Sequence, residues 1–427
     1  MRAIVLITLL HFSDYHSHAR PFHAEEGADR GGIARAVGYL AGEKRDGALV
    51  FSGGDMMNKG APAWSDHYRC AEWTWLDGIV DAMAFGNHEA DYGYDDFARC
   101  RDAVSFPILS ANTGGFRPYT VLERGGVRIG VFAIAGSDFP ALVRVPELRF
   151  GDPVIAARNT VRTLREDEAV DAVVMIGHQH SADDYALARE VPGIDLIFGT
   201  HSHLRQELMQ IPETKTWFVS PSQYLTWISR VEMRFEEGEL TAVSGGLVPV
   251  DERMPADPAV AARVDAMQHA LERDPLYRDL FVPFATLKQP ISTGELGQRT
   301  VDLMRASARA GLALSTASSF RRPLPAGPVD PETLRGALPY DNEIVVAELP
   351  AETARQLLQH ARGQKGDAQA YVSGGVRGDR VVVATTDYLA LVAAGYRAFF
   401  SGADVTRTGV RVRDLLREEL TARKQPL

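Results

Sequence analysis

Histidine, aspartate and asparagine recur in five short clusters, each directly after an apolar run. The clusters are Asp14-Tyr-His16, Gly54-Asp55, Gly86-Asn87-His88-Glu89-Ala90-Asp91, Gly177-His178 and Gly199-Thr-His201-Ser-His203. Carboxylate and imidazole groups suit divalent cations such as Zn, Mn, Fe or Co, whereas a soft site needs thiolates. A two-metal hydrolase needs one ligand that bridges two ions about 3.5 to 4 Å apart, and roughly three terminal ligands on each ion.

The five clusters supply that ligand set. Taken singly, Asp-x-His and Gly-Asp are common in solvated turns. Gly-Asn-His-Glu-Ala-Asp is more specific, because its glycine permits a tight turn that delivers an amide and an imidazole from adjacent residues. The succession of all five clusters favours a two-metal centre. We expect Asp55 to bridge the ions, Asp14, His16 and His203 to complete one site, and Asn87, His178 and His201 to complete the other.

The apolar runs before these clusters predict strands, and helical patterns alternate with them. The strands are expected over residues 3–12, 48–51, 82–85, 173–176 and 196–198, and the helices over 32–44, 66–81, 94–103, 156–168 and 181–189. An open α/β sheet builds its binding crevice at the carboxyl edge of its strands. The alternation therefore predicts an α/β domain that gathers the ligand residues at one edge.

Length and composition indicate a two-domain globular protein. A chain of 427 residues exceeds one ordinary core. The pattern changes after Gly238, which predicts a metal-binding domain over 1–250, a linker and bridging helix over 251–280, and a second domain over 281–427. The net charge of -10 gives no reason to expect a nucleic acid polymer as partner. We expect a small-molecule substrate, and the oligomeric state stays open.

The amino terminus and the two cysteines give expectations for the compartment and for the redox state of the thiols. Arg2 and the apolar residues after it resemble the start of a secretory signal, but a cleavage downstream would endanger Asp14 and His16. We therefore expect a first strand there, and either a cytoplasmic protein or a start upstream of Met1. No apolar stretch approaches the length of a membrane span. Cys70 and Cys100 could pair if their helices pack together, but we expect two reduced, partly buried thiols.

The ordered motifs resemble those of the calcineurin-like metallophosphoesterases. Asp14-Tyr-His16-Ser-His18, Gly86-Asn87-His88-Glu89-Ala90-Asp91-Tyr92-Gly93 and Gly199-Thr-His201-Ser-His203 narrow the resemblance to the 5'-nucleotidase and UDP-sugar hydrolase branch. It implies a four-layer β-sandwich flanked by helices, followed by a smaller α/β specificity domain. It also implies the same seven ligands, and it makes His88 the residue that contacts the phosphate and helps the leaving group, with Asp91 orienting its ring. A carboxylate that stabilises an imidazolium suits this role, although a turn or helix-cap role for Asp91 is the alternative.

The resemblance continues into the second domain, where this chain departs from it. The Asn-x-Gly-Gly-x-Arg loop of nucleotidases is replaced by Thr316-Ala-Ser318-Ser319-Phe-Arg321. Tyr340 and Tyr388 stand at the positions that sandwich the base, so the substrate-binding residues expected here are Arg321, Tyr340 and Tyr388. Ala394 stands where the family has a carboxylate that grips ribose. A site without that acceptor discriminates less between sugars.

The resulting prediction is a metal-dependent phosphoric ester hydrolase. We expect a 5'-nucleotidase-like phosphomonoesterase that uses a hydroxide activated by two ions, with His88 assisting. The alternative is a related hydrolase of cyclic phosphodiesters (2',3'-cyclic nucleotides) or sulfate-type esters with the same metals. A binding protein without turnover would have lost ligands or His88, and neither is lost.

Overall fold

Residues 4–364, 368–393 and 395–422 are described by a computed structural model. The chain forms two compact units. The first comprises Met1–Phe22 and Asp29–His269, and the second comprises His23–Ala28 and Ala270–Leu427. The sequence-predicted α/β architecture is confirmed, and Ala394 lies outside the described residues.

The first unit is built on two six-stranded sheets. In spatial order, the first sheet contains β14 (Glu239–Pro249), β13 (Trp227–Glu236), β1 (Ile4–Phe12), β4 (Leu49–Ser52), β5 (Ala82–Ala84) and β6 (Ile108–Leu109). The second sheet contains β11 (Arg205–Gln210), β12 (Trp217–Pro221), β10 (Leu196–Phe198), β9 (Ala172–Met175), β8 (Val127–Phe132) and β7 (Tyr119–Arg124). A separate two-stranded pair, β2 (Phe22–Ala24) and β3 (Gly27–Arg30), includes His23–Ala28, which belong to the second unit.

The two sheets share one apolar core. Leu9 and Phe51 from the first sheet pack with Val131, Val174 and Phe198 from the second, and all five side chains are buried. Strands β1, β4, β5 and β6 are mutually parallel, as are β8, β9, β10 and β12. Consequently the carboxyl ends of the central strands meet at one edge of each sheet.

Helices cover the outer faces of this sandwich and complete four layers. They are α1 (Ile33–Arg45), α2 (Ala63–Tyr68), α3 (Tyr94–Asp102), α4 (Phe139–Leu142), α5 (Pro153–Arg162), α6 (Ser181–Glu190) and α7 (Pro258–Leu271). Helices α5 and α6 pack Ala157, Val161 and Leu187 against the outer face of the second sheet. Within the described residues, every helix is too short or too polar to span a bilayer.

The single helix expected over 66–81 is wrong. Helix α2 ends at Tyr68 because Arg69 adopts a φ of 55°, which no α-helix accommodates. A short 3-10 helix, Ala71–Trp75, follows instead. A helical periodicity in sequence does not reveal this interruption.

The second unit has a five-stranded sheet and flanking helices. In spatial order its strands are β19 (Ala370–Gly374), β16 (Leu312–Thr316), β20 (Arg380–Thr386), β18 (Glu343–Pro350) and β21 (Val405–Arg411), beside a pair made of β15 (Ala285–Leu287) and β17 (Gly327–Val329). The helices are α8 (Thr293–Ser307), α9 (Pro331–Ala337), α10 (Ala351–Gly363), α11 (Asp387–Leu391) and α12 (Val412–Ala422). One core packs Leu296 and Val301 of α8 with Ala313 of β16 and Leu416 of α12.

Candidate metal centre

The predicted ligands lie in loops that begin where β1, β4, β5, β9 and β10 end. Five of them adopt left-handed backbone conformations, with φ between 49° and 54°: Asp14, His16, Asp55, His201 and His203. Such values are uncommon outside glycine, and they cost energy that a fold tolerates chiefly at functional sites. The loops are therefore held in the geometry that turns these side chains toward one another.

Asp14, His16 and His203 converge as one group. Asp14 Oδ1 lies 3.2 Å from His203 Nε2, and His203 Nε2 lies 3.2 Å from His16 Nε2. The second oxygen of Asp14 accepts hydrogen bonds from the Ser13 hydroxyl and from the His201 backbone N–H at 2.5 and 3.1 Å. Asp14 is thus oriented by one oxygen and presents the other to the two imidazoles.

A second group forms around Asp55. Its Oδ2 lies 3.2 Å from His178 Nε2 and 3.9 Å from His16 Nε2, so it faces both groups. One ligand atom from each of Asp55, His178 and His201 lies within 4.8 Å of the others. The Asp55 Oδ1 atom accepts a hydrogen bond from the His88 backbone N–H at 2.9 Å. This placement suits the bridging role expected for Asp55.

Backbone carbonyls fix the rings of His16 and His178. The His16 Nδ1 atom lies 3.2 Å from the Met57 oxygen, and the His178 Nδ1 atom lies 2.7 Å from the Gly53 oxygen. Because a carbonyl only accepts, Nδ1 carries the proton in each ring. In the neutral form of each ring the lone pair is then on Nε2, the nitrogen that faces the carboxylates and that a cation would bind. Such support from behind the ligand is typical of metal-binding histidines.

Three of the expected ligand atoms are buried and have no hydrogen-bond partner among the described residues. They are Asp14 Oδ1, Asn87 Oδ1 and His178 Nε2. A buried polar atom without a partner costs free energy, and a cation satisfies it. Burial lowers the pKa of His178, but the Asp55 and Asp14 carboxylates outweigh burial and raise it to about 10. The negative charge that produces this shift also favours a cation, so the residues fit a pair of divalent metal ions.

His88 and Asp91 form the expected pair beside these groups. The His88 Nδ1 atom lies 2.7 Å from Asp91 Oδ2, and His88 Nε2 lies 4.0 Å from Asp55 Oδ2. The Lys59 backbone N–H donates to the same Asp91 oxygen at 2.9 Å. Asp91 therefore orients the His88 ring and leaves Nε2 on the side of the ligand groups.

Two supporting carboxylates were missed in the sequence. Glu89 is buried within the Gly-Asn-His-Glu motif and accepts hydrogen bonds from the backbone N–H groups of Gly86, Asp55 and Met56 at 2.6, 2.9 and 2.7 Å. It ties the β4 loop to the β5 loop. Asp138 lies 3.0 Å from His201 Nε2. Asp138 follows the apolar residues at the end of β8, and this position after a strand was the one sequence feature that could have indicated its role.

The expectation of two reduced thiols is wrong. Cys70 and Cys100 form a disulfide across a sequence separation of 30. Cys70 directly precedes the short 3-10 helix, and Cys100 lies in α3. The bond joins two segments whose proximity depends on tertiary packing. Next to it, Glu72 is buried and accepts hydrogen bonds from Tyr15 and Trp64 at 3.1 and 2.5 Å.

The three substrate-binding candidates of the second unit lie toward one end of its sheet. Ile344 pairs with Thr386, so Tyr340 before β18 and Tyr388 after β20 extend beyond the same edge. Strand β16 runs parallel to β20, so the loop that carries Arg321 leaves that edge too. The Arg321 guanidinium donates to the Tyr340 hydroxyl at 2.6 Å. Tyr340 and Tyr388 are 43% and 47% exposed, which leaves ring surface for a ligand.

Comparison with known proteins identifies the family. Residues 7–205 match the family described as calcineurin-like phosphoesterase, and residues 282–386 match the 5'-nucleotidase C-terminal domain. The chain belongs to the calcineurin-like phosphoesterases. Within that family it is a 5'-nucleotidase-like member, and it is a hydrolase of phosphoric ester bonds.

One curated relative and two solved structures are similar to this chain over most of its length. Protein UshA of Yersinia enterocolitica is 26% identical, over 86% of this chain and 78% of the relative. The 5'-nucleotidase precursor of Thermus thermophilus has a similar structure, with a TM-score of 0.77 and 22% identity over 98% of this chain and 96% of that one. The sulfate thiohydrolase SoxB of Thermus thermophilus is also similar in structure. Its TM-score is 0.75, with 18% identity over 98% of this chain and 96% of that one. The match to another curated relative covers only 23% of that relative's length.

Proposed function

We propose that this 5'-nucleotidase-like enzyme hydrolyses phosphoric monoesters with two divalent cations. Asp14, His16, Asp55 and His203 would hold one cation, and Asp55, Asn87, His178 and His201 the other. The observation that carries this proposal is the convergence of these side chains with three buried ligand atoms that have no partner among the described residues. Seven oxygen and nitrogen ligands without sulfur are consistent with Zn, Mn, Fe or Co.

The protein's own groups divide the remaining work. Two bound cations would lower the pKa of a water molecule and neutralise charge on the phosphoryl oxygens. His88 presents Nε2 to the substrate and supplies a proton to the departing oxygen. Asp91 Oδ2 lies 2.7 Å from His88 Nδ1 and accepts the hydrogen bond of its N–H, which stabilises the imidazolium before proton transfer. Asp55 turns Oδ2 toward both ligand groups and keeps Oδ1 on the His88 backbone.

The substrate that we propose is a nucleotide 5'-monoester. Tyr340 and Tyr388 offer exposed rings at the same sheet edge, and an aromatic base stacks on such rings with little sequence preference. Arg321 is fixed by its hydrogen bond to Tyr340 and provides a cation for an anionic group. The relatives named 5'-nucleotidase support this assignment.

The second candidate is a hydrolase of sulfate-type or cyclic phosphate esters with the same metals. The loop that replaces Asn-x-Gly-Gly-x-Arg favours it, because this loop is rich in hydroxyl groups: Ser315 bonds Ser319 at 3.3 Å, and Thr316 bonds Ser318 at 2.8 Å. Turnover of simple sulfate or cyclic phosphate esters without turnover of nucleoside monophosphates would favour this candidate.

We place the protein in an oxidising compartment, such as the periplasm or the cell surface. The support is the disulfide between Cys70 and Cys100, because such bonds are rare where glutathione keeps thiols reduced. Mass spectrometry of protein isolated under alkylating conditions tests this placement. Two alkylated cysteines in protein taken from its native compartment would contradict it.

Removal and return of metal tests the proposed function directly. Exhaustively chelated protein is expected to lose hydrolysis of nucleoside monophosphates and of a generic aryl phosphate, and to regain both after addition of Mn, Zn or Co. Asp55→Asn is expected to lower metal content and rate together, because it alters the shared ligand. The exposed Glu147→Gln is the matched control. Full activity after chelation would refute the proposal.

A variant of His88 separates proton transfer from metal binding. His88→Ala is expected to keep two metal ions per chain while turnover falls by about 10² to 10⁴, the usual contribution of general acid or base catalysis. Asp91→Asn is expected to have a milder effect in the same direction. Metal analysis and steady-state kinetics measure both quantities. Loss of metal from His88→Ala would show that His88 is a ligand and that its proposed role is wrong.

A further inference from the structure

The carboxylate of Asp138 contacts two histidines beside the metal centre. Its Oδ2 lies 3.0 Å from His201 Nε2 and 3.2 Å from His180 Nε2. The Asp138 side chain is 29% exposed, and its other oxygen is buried without a hydrogen-bond partner among the described residues. Asp138 precedes the short helix α4, far from both histidines in sequence. The family resemblance gives this residue no role.

The backbone holds Asp138 firmly in this place. Ile134 and Gly136 exchange hydrogen bonds with His178: the His178 N–H donates to the Ile134 oxygen at 2.6 Å, and the Gly136 N–H donates to the His178 oxygen at 2.9 Å. The Asn112 side chain binds both backbone groups of Ala135 at 2.8 Å. The Asp138 loop is therefore fastened to the segment that carries His178.

Gly136 leaves space for the Asp138 carboxylate beside its own backbone. A Cβ atom on Gly136 would lie 2.7 Å from Asp138 Oδ1, which is closer than real Cβ atoms approach oxygen. The side chain of Asp138 thus folds back over its own loop toward His201. This compact turn fixes the distance between the carboxylate and the imidazole.

The contact has the same effect as the backbone carbonyl oxygens that hold two other histidine ligands, His16 and His178. His16 and His178 each give Nδ1–H to a backbone oxygen, which leaves Nε2 for the cation. His201 instead has its Nε2 on Asp138. Since an ionised carboxylate accepts only, Nε2 carries the proton and Nδ1 is the nitrogen that a neutral His201 can offer. His201 also belongs to the ligand group with Asp55 and His178.

We infer that Asp138 is a positioning residue for the second cation: its hydrogen bond fixes the orientation and tautomer of His201, so that His201 binds through Nδ1. This inference rests on the proposed function, since it requires His201 to be a ligand. His180 shares the carboxylate, has 53% of its side chain exposed, and lies outside the ligand set proposed above. Removal of an outer partner of this kind typically costs about 10- to 100-fold in metal affinity.

A Co²⁺ titration of metal-stripped protein in competition with a chelator tests the inference. Wild type is expected to bind two equivalents. Asp138→Ala is expected to weaken one equivalent by about 10- to 100-fold and to shift its absorption spectrum, while the other equivalent binds as before. Asp138→Asn keeps an oxygen acceptor for the His201 N–H, so it is expected to recover a large part of the affinity.

Two control variants separate the hydrogen bond from charge and from the neighbouring histidine. Asp183→Asn removes a nearby half-buried carboxylate that no described hydrogen bond connects to His201, and it is expected to bind both equivalents normally. His180→Ala is expected to do the same. Normal binding by Asp138→Ala, equal weakening of both equivalents, or equal loss in either control would overturn the inference. A wild-type protein that fails to bind two equivalents would overturn the proposed function as well.

Discussion

Replacement of Glu89 is expected to destabilise the first unit strongly. The side chain is fully buried, and its carboxylate accepts three backbone N–H groups, from Gly86, Asp55 and Met56. A buried donor left without an acceptor costs about 1–3 kcal/mol. Glu89→Ala orphans all three, so the free energy of unfolding should fall by about 3–9 kcal/mol. That is a large share of the roughly 5–15 kcal/mol that stabilises a typical domain.

The isosteric variant Glu89→Gln is expected to lower the free energy of unfolding by a smaller amount. Gly86 and Asp55 donate to Oε2, whereas Met56 donates to Oε1. In Glu89→Gln the amide oxygen can replace Oε2 and keep two bonds, but the amide nitrogen then faces the Met56 N–H. One lost acceptor predicts a decrease of about 1–3 kcal/mol.

Urea unfolding followed by tryptophan fluorescence measures these changes, because all five tryptophans lie in the first unit. The metal-free proteins should be compared, so that ligand binding does not contribute to stability. Glu147→Gln, an exposed carboxylate, is the matched control and is expected to stay within about 0.5 kcal/mol of wild type. If both Glu89 variants also stay within that range, Glu89 does not hold the two loops together.

Three further outcomes are expected. In the double variant Cys70→Ser/Cys100→Ser, the free energy of unfolding measured in urea should fall by about 3–4 kcal/mol, because the disulfide closes a loop of 30 residues. Added reductant should destabilise the wild type but not this variant. Burial raises the pKa of Glu72 from 4.5 to about 7, so the folded state retains a proton that the unfolded chain releases. The free energy of unfolding should therefore fall by up to about 3 kcal/mol as pH rises through that window, and Glu72→Gln should flatten the pH profile; equal slopes would contradict this. Tyr388→Ala should raise the Michaelis constant for a base-containing nucleotide by an amount equivalent to about 1–3 kcal/mol, with hydrolysis of a small aryl phosphate unchanged; equal effects on both substrates would exclude a stacking role.

The sequence alone predicted the α/β class of the first unit and the strands that carry its ligand residues. Apolar runs that end in Asp14, Asp55, Asn87, His178 and His201 predicted parallel strands with polar residues at their carboxyl ends, and the sheets have that arrangement. This prediction succeeded because strand hydrophobicity and the residue type after each strand are local properties. The order of the motifs then indicated the family, and the resemblance to that family implied the roles of His88 and Asp91.

Local pattern failed where a residue's role depends on a distant partner. The carboxylates of Glu89 and Asp138 look like ordinary turn residues, yet Glu89 binds N–H groups 33 and 34 positions away and Asp138 meets His201 across 63 positions. The prediction of two reduced thiols failed for the same reason, since two cysteines 30 residues apart pair only when the packing of α3 brings them together. Only the tertiary structure decides such contacts, because chain spacing carries no information on which loops the sheets bring into register.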